Sequence, residues 1–570
     1  MRLRGRSAAR APEGRRPGTS RAAALRRVPG PGTAAAPPAE ATTGRGTDHG
    51  AGPPTGPADH GARPPAGPPG PDARPPTGPT ERDTGSSPGS PGRPGRPGRA
   101  PGSSPGPAGR APGSSPGRPG RAPGSSPGHP GRALIGRTVV TALPLYLTML
   151  ASTAGALVDT AVLGRHATAT LAAFALTMAV YTPATATVAG ALRGVMPFTA
   201  AHDDDPDALL PVVRDGLWLA IATGLLGALA VAGVPLIGLA SGVPHRTLSE
   251  LGVFPHLMAA SVLVAAMGNA ATSTLVGLGR SGLVLRAGMS GTAAAVVLSP
   301  ALVNGVGPLD GLGLPGAGIA MLTAAAISAA VAHTGLRRCA VLAGRPLGPG
   351  TPRVRAVVAL AGIGLPLAAT VLIKFAVLGV LAVAAARIDP VHAAAHSISV
   401  SLTGLVFTAA VAVGQATIPL VAPHLKAKDV RGVRAAVRAG AVTALGAVLL
   451  IGGVLAVLRV PVLSLFTHDA AARDQILALL PLVLLVVVTD ALQAVFGFGL
   501  VAIRDTVPSL LAFAVCYGLL ALAAVPLTAR GGLTALWLAL LGANTLLVVG
   551  QATFFHRRSG RLGVPGPGTD

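Results

Sequence analysis

The chain has 570 residues and a formal net charge of +24, and half of its residues are hydrophobic although it carries 54 Pro and 77 Gly. A mean hydropathy of +0.56 asks for lipid, whereas so much Pro and Gly opposes folding, so a single soluble globular body is excluded and the two properties belong to different stretches. The two cysteines, Cys339 and Cys516, stand far apart and fit neither a disulfide framework nor a metal-ligand spacing.

Residues 1–133 hold 20 Arg, no Lys and seven acids, a net of about +13. From Pro29 to Gly131 the chain is nearly all Pro, Gly, Ala, Arg, Ser and Thr, and the unit APGSSPG recurs from Ala100, Ala111 and Ala122. So few apolar side chains cannot offset the entropy of ordering, which predicts a disordered cytoplasmic tail. Gly does not hold every third position, so this is not collagen, and Met1–Arg27 lacks the apolar run of a signal peptide. Its arginines could rest on anionic lipid at about 1 kcal/mol each. Without aromatic interleaving or a folded motif they do not make a nucleic-acid module. A solvated extension, or a start codon set too far upstream, accounts for the segment as well.

After Arg137 apolar runs follow one another: 138–163, 168–200, 209–240, 249–277, 283–306, 314–336, 354–385, 391–423, 430–458, 471–500, 507–529 and 532–555. Each is long enough to cross roughly 30 Å of hydrocarbon as a helix, and too long for a barrel strand. The predicted fold is therefore an all-α integral membrane protein of about twelve helices. It divides into bundles at 134–345 and 346–558, with a second cytoplasmic tail at 559–570. Basic residues crowd alternate connections: Arg337, Arg338, Arg345, Arg353 and Arg355 after the sixth run, and Lys426, Lys428, Arg431, Arg434 and Arg438 after the eighth. The positive-inside rule then places both termini in the cytoplasm, against one acidic loop, His202-Asp-Asp-Asp-Pro206, which weighs little.

The body repeats. Leu143-Pro144-Leu145 returns as Leu365-Pro366-Leu367 at an offset of 222, as do Ala172-Ala173 at Ala394-Ala395 and Pro197 at Pro419; Gly279-Arg280-Ser281 pairs with Ile503-Arg504-Asp505 at 224. Six helices per half is a parallel repeat, and two such bundles facing each other leave a cavity that opens alternately to each side.

Particular residues sharpen this. Leu143-Pro144, Leu157-Val-Asp-Thr160, Val162-Leu-Gly164 and Leu171-Ala-Ala173 come first; Ala393-Ala-Ala-His-Ser397 and Val413-Gly-Gln-Ala416 follow; then come Thr489-Asp-Ala-Leu-Gln493, Gly497-Phe-Gly499 and Arg504-Asp-Thr506. In that order, over about 134–558, they resemble the multidrug and toxic compound extrusion (MATE) family of the MOP flippase superfamily. The resemblance implies a non-enzymatic, cation-coupled antiporter that exports small amphiphilic or cationic compounds across the plasma membrane. It implies no cofactor beyond a coupling H⁺ or Na⁺; the expected partners are the lipid bilayer and small organic substrates, with no nucleic acid, and the chain is expected to act as a monomer.

Few ionisable residues interrupt the apolar runs: Asp159, Arg193, Lys374, Asp490 and some histidines. Each costs about 2.5–3.5 kcal/mol at mid-membrane on insertion scales and is a functional candidate for that reason. Burial disfavours a charged carboxyl, so Asp159 in ALVDTAVLG can take up and release a proton near neutral pH, unless it sits at the outer interface beside Arg165. It matches the first-helix aspartate of the archaeal and DinF-like branches. Asp490, with Gln493 on the same helix face, matches the tenth-helix aspartate of the NorM-like branch, and a plain interhelical contact is the alternative.

Lys374 departs from the pattern. It stands where the NorM branch has a glutamate, and Ala295 and Ser299 stand where the archaeal branch has asparagine and aspartate. An ammonium there repels Na⁺ and keeps Asp490 charged, which favours protons; a lysine snorkelling to an interface is the alternative. Arg193, near the end of the second run, reads as interfacial. Asn269, Gln493, Tyr146, Phe174, Tyr181, His396 and Gln415 are expected at the substrate cavity, with Phe375, Phe407, Phe496 and Phe498 as further aromatic lining. A lipid-linked oligosaccharide flippase of the same superfamily is the alternative. It expects fourteen helices or an Arg-rich cavity. A nucleophile elbow, a metal-binding His cluster and a GxxxxGK[ST] loop are all missing from the sequence, which argues against an enzyme or an ATP-driven pump.

Overall fold

The computed structural model describes residues 130–166, 168–306 and 309–562, so the disorder expected for 1–133 falls almost wholly outside the described residues. Its last four positions, from Pro130, instead open the first helix.

Eleven helices among the described residues are long and apolar enough to cross a membrane. They are α1 (Pro130–His166), α2 (Thr168–Leu192), α3 (Pro206–Ala232), α4 (Phe254–Gly277), α5 (Ser281–Asn304), α6 (Gly313–Arg337), α7 (Val354–Ala386), α8 (Pro390–Lys426), α9 (Val430–Val457), α10 (Ala470–Ala502) and α11 (Val507–Arg561). The expected twelfth is inside α11. A straight helix of its 55 residues would run about 80 Å, more than twice a bilayer core. Gly531 (φ −136°) and Gly532 (φ +59°, ψ −152°) break it into two crossing arms, and Gly532 occupies a conformation only glycine adopts without strain. A two-residue ladder, Gly305–Val306 against Leu309–Asp310, joins α5 to α6.

Four loop aspartates start helices. Asp205 accepts from the backbone N–H of Asp207 and Ala208, Asp389 from that of His392, Asp429 from that of Gly432, and Asp469 from that of Ala471. Each side chain satisfies an N–H that the first turn leaves unpaired, and Pro follows Asp205 and Asp389 at the first helical position, where its missing N–H costs nothing. In the His202–Pro206 loop Asp205 is therefore accounted for as a helix cap.

The core divides in three. One cluster gathers the start of α1 and α5 with the ends of α4, α6, α8 and α10 and the far end of α11, drawing on both halves of the chain. A second belongs to α1–α6, joined by Leu360 of α7, and a third lies wholly within α7–α11. The halves therefore share a core at the end where the basic loops collect and keep separate cores at the other. Two glycines make a close seam between them. A Cβ on Gly194 would lie 2.6 Å from the backbone N of Gly364 and 2.7 Å from its Cα. Small residues allow two membrane helices that approach.

Polar links fasten the same end. Lys426 Nζ, at the tip of α8, donates to Asp203 (2.7 Å) and Asp204 (2.8 Å) in the loop before α3. The Arg504 guanidinium donates to the Pro197 carbonyl (3.2 Å) and stacks 4.2 Å over the Phe198 ring. The connection between α6 and α7 is tied to α3: Arg353 pairs with Asp215, Arg345 with Asp207, and the Trp218 indole N–H donates to the Pro349 carbonyl.

Candidate substrate cavity and intramembrane charges

A cavity of about 500 Å³ opens beside the shared core. Its wall comes mostly from α7, α8, α10 and both arms of α11, completed by Met149 of α1, Ala186 of α2 and Arg193. The sequence leads one to expect matching contributions from the two halves. The observed lining is one-sided because the aromatics of α11 (Phe513, Tyr517 and Trp537) face inward here, while the aromatics of the first half are used in packing.

Asp490, on α10, is buried on this wall. Lys374 on α7 approaches it across the cavity, and the ammonium donates to both carboxylate oxygens, at 2.8 and 2.7 Å. The same Nζ lies 3.8 Å from the centroid of the Phe407 ring. Lys374 does not snorkel: only 19% of its side chain is exposed, against 4% for Asp490. Gln493, one turn on from Asp490, also lines the cavity and begins an amide chain: its Nε2 faces Gln551 Oε1 at 3.4 Å, and Gln551 Nε2 donates to Ser509 Oγ at 2.8 Å. Across the wall Tyr517 donates its phenol to Asn544 Oδ1 at 2.9 Å. Gln551, Asn544 and Tyr517 are polar interruptions of the last apolar runs, a signal of the same kind that marks Asp490 but without a charge to draw attention to it.

Asp159 occupies a different place. It is 3% exposed on α1, with Ser299 of α5 and Tyr181 of α2 set near it, and it is not part of the cavity wall. Asp159 Oδ1 and Ser299 Oγ are both buried without completing a hydrogen bond among the described residues. Arg165 is exposed and forms no ion pair with Asp159 among the described residues. Tyr181 instead shares a 3.2 Å hydrogen bond with Ser261 of α4. The two candidate carboxylates thus lie in separate halves, one bare and one paired.

The remaining expected lining residues are placed elsewhere. Phe174 is core, tilted against Phe254 at 5.9 Å, and Tyr146 packs on the shared cluster. Asn269 is half-buried on α4, Gln415 is buried on α8, and Phe496 sits against Phe555. His396 is buried edge-on to Trp537, with centroids 5.8 Å apart, and reaches the cavity only through that ring. Phe375, Phe407 and Phe498 do line it. Arg193 joins them: the 3₁₀ turn Arg193–Val195 that ends α2 carries it onto the cavity wall, 5.9 Å from the Phe498 ring centroid.

The MatE family model matches residues 343–527, the stretch that contributes Lys374, Asp490 and much of the cavity wall. Over 397 residues the chain is 29% identical to the protein named "Probable multidrug resistance protein NorM" of Aromatoleum aromaticum, covering 68% of this chain and 85% of that one. A protein of the same name from Deinococcus radiodurans is 33% identical over 283 residues, 48% of this chain and 60% of its own. Among solved structures, a MOP superfamily transporter from Pyrococcus furiosus superposes with a TM-score of 0.69, over 77% of this chain and all of the other, at 16% identity. That last likeness is one of fold.

Proposed function

We propose, from the premise that this chain belongs to the multidrug and toxic compound extrusion (MATE) family, that it exports small amphiphilic organic molecules from the cytoplasm by proton-coupled antiport. The observation that carries the reading is a largely apolar cavity closed at one end by a core and polar links common to both halves, beyond which the halves keep separate cores. The closed end gathers the basic loops, so the positive-inside rule sets it in the cytoplasm and leaves the cavity facing outward. Export then alternates this state with one closed at the opposite end, each half moving as a unit about the cavity.

Asp159 is the group that exchanges the proton. It is bare, buried and carboxylic, and uptake of a proton removes a costly charge from the membrane interior. Asp490 and Lys374 form an ion pair on the cavity wall that sets its charge balance, and losing the Asp490 charge leaves Lys374 unpaired beside the substrate. Asp→Asn keeps size and hydrogen bonding but removes titration. In everted vesicles with an acid interior, Asp159→Asn and Asp490→Asn are expected to insert at wild-type level and each to lose most of the initial rate of dye accumulation. Near wild-type rates in both would remove the basis for this reading. A dithionite assay with fluorescent phospholipid in proteoliposomes separates the flippase alternative, which requires accelerated quenching.

A further inference from the structure

Resting on the export reading, we propose that the cavity selects organic anions, amphiphiles bearing a carboxylate or sulfonate that binds to Arg193. Three side chains on its wall carry charge: Arg193, Lys374 and Asp490. Lys374 gives its ammonium to both oxygens of Asp490 and to the face of Phe407, so that pair is neutral and its carboxylate is occupied. Arg193 has no carboxylate partner among the described residues, and its guanidinium lies over the Phe498 ring at 5.9 Å from the centroid, a contact that leaves its charge unneutralised. The wall therefore carries one uncompensated positive charge. An incoming ammonium meets two fixed cations and no free acid.

An anion meets the converse. The planar guanidinium offers parallel N–H donors that match a carboxylate or sulfonate, and such charge-assisted pairs strengthen where water is scarce. Much of the remaining wall is apolar, with Leu367, Val371, Phe375 and Phe513 available to the hydrophobic part of an amphiphile. About 500 Å³ suits a drug-sized ligand. Arg193 also sits where the halves meet: it belongs to the first half, flanked by the Gly194–Gly364 seam, and faces Phe498 of the second. A bound anion would touch both halves at the closed end.

The test uses the full chain in nanodiscs of zwitterionic lipid and two probes sharing one ring system, 1-anilinonaphthalene-8-sulfonate and the uncharged N-phenyl-1-naphthylamine, with empty nanodiscs as blank. The wild type is expected to bind the sulfonate more tightly than the amine. Arg193→Gln should lower the ratio of the two affinities by about tenfold or more, the worth of a charge-assisted hydrogen bond, and Arg193→Lys should restore part of it. An unchanged ratio in Arg193→Gln overturns the proposal. So does a wild type that prefers the amine, a result that needs no variant to fold. Everted vesicles separate this proposal from the export reading. Gradient-driven accumulation of ethidium but not of the sulfonate sinks the anion assignment and leaves export standing; accumulation of neither sinks both.

Discussion

Asp490 enters the membrane already neutralised. Lys374 contacts both its oxygens, and little of either side chain is exposed. Removing one partner of such a pair strands the other charge, at about 3–5 kcal/mol, whereas removing both together is close to neutral. The lower end applies here because Lys374 keeps 19% of its side chain open. Lys374→Met and Asp490→Leu should each lower the midpoint of thermal unfolding in detergent, and the double variant should recover most of the loss. If the double variant is as unstable as the sum of the singles, the two residues act independently and the pair does not exist in the membrane. The sequence places both residues in apolar runs, but 116 positions apart, and only the fold brings them together. Arg193 shows the opposite failure. Hydropathy puts it near a helix end and hence at an interface, yet a 3₁₀ turn continues into Met196–Ala201 and turns it inward.

The helix ends hold the closed face. Lys426 joins the tip of α8 to Asp203 and Asp204, but those carboxylates are more than half exposed, so salt screens the contact and its energy is small. Arg504 adds an anchor at a backbone cost. Its φ of +60° lies in the left-handed region, where Gly279 (φ +68°) stands at the end of α4. The sequence repeat pairs Arg280 with Arg504, whereas the backbone pairs Gly279 with Arg504, a one-residue slip that hydropathy could not resolve because both helices end in similar polar residues. The side chain accounts for keeping an arginine there: it stacks on Phe198 and reaches Pro197 in the other half. A thiol at Ala200, buried in the groove behind these links, reports the closure. In an Ala200→Cys protein lacking Cys339 and Cys516, Lys426→Glu and Arg504→Gly should speed maleimide labelling about threefold each, and added salt should narrow the difference for Lys426→Glu alone. The pH response follows from Asp204. The hydrogen bond from Lys426 holds its carboxyl below the ordinary carboxylate range. A depressed pKa contributes stability above the unfolded value of about 3.9, and that contribution is lost only as pH falls through the lower folded value. The labelling ratio of Lys426→Glu to its parent should therefore hold steady from pH 8 to pH 5. A ratio that collapses over that range would show that Asp204 does not set the link.

At the scale of the molecule, run length and hydrophobicity were enough to count the crossings, because in lipid every backbone group must be satisfied within its own helix. They could not say which helix faces the cavity, since a helix that is apolar all round carries no stripe to read. Tyr517 and Asn544 look no different in sequence from Tyr181 and Asn269, yet the first pair stands on the wall and the second does not. The choice of coupling ion is a whole-molecule property for the same reason, since it depends on what the fold gathers around each carboxylate. A bound Na⁺ needs several oxygens converging on one point, at least one of them charged. Asp490 spends both oxygens on Lys374, whose ammonium already occupies the position a metal cation would take. Around Asp159 stand the hydroxyls of Ser299 and Tyr181, with no second carboxylate set near it among the described residues. A proton needs only one oxygen. With a fixed pH gradient across everted vesicles, replacing Na⁺ by K⁺ on both sides should alter the initial rate of dye accumulation by less than about twofold, and Asp159→Asn should abolish the dependence on the gradient. Collapsing the gradient with nigericin in K⁺ medium should stop accumulation at once. A rate that rises with Na⁺ at constant pH, and persists after nigericin, would mean that the Lys374–Asp490 pair opens during the cycle to admit a metal ion, and the protonic assignment would have to be abandoned.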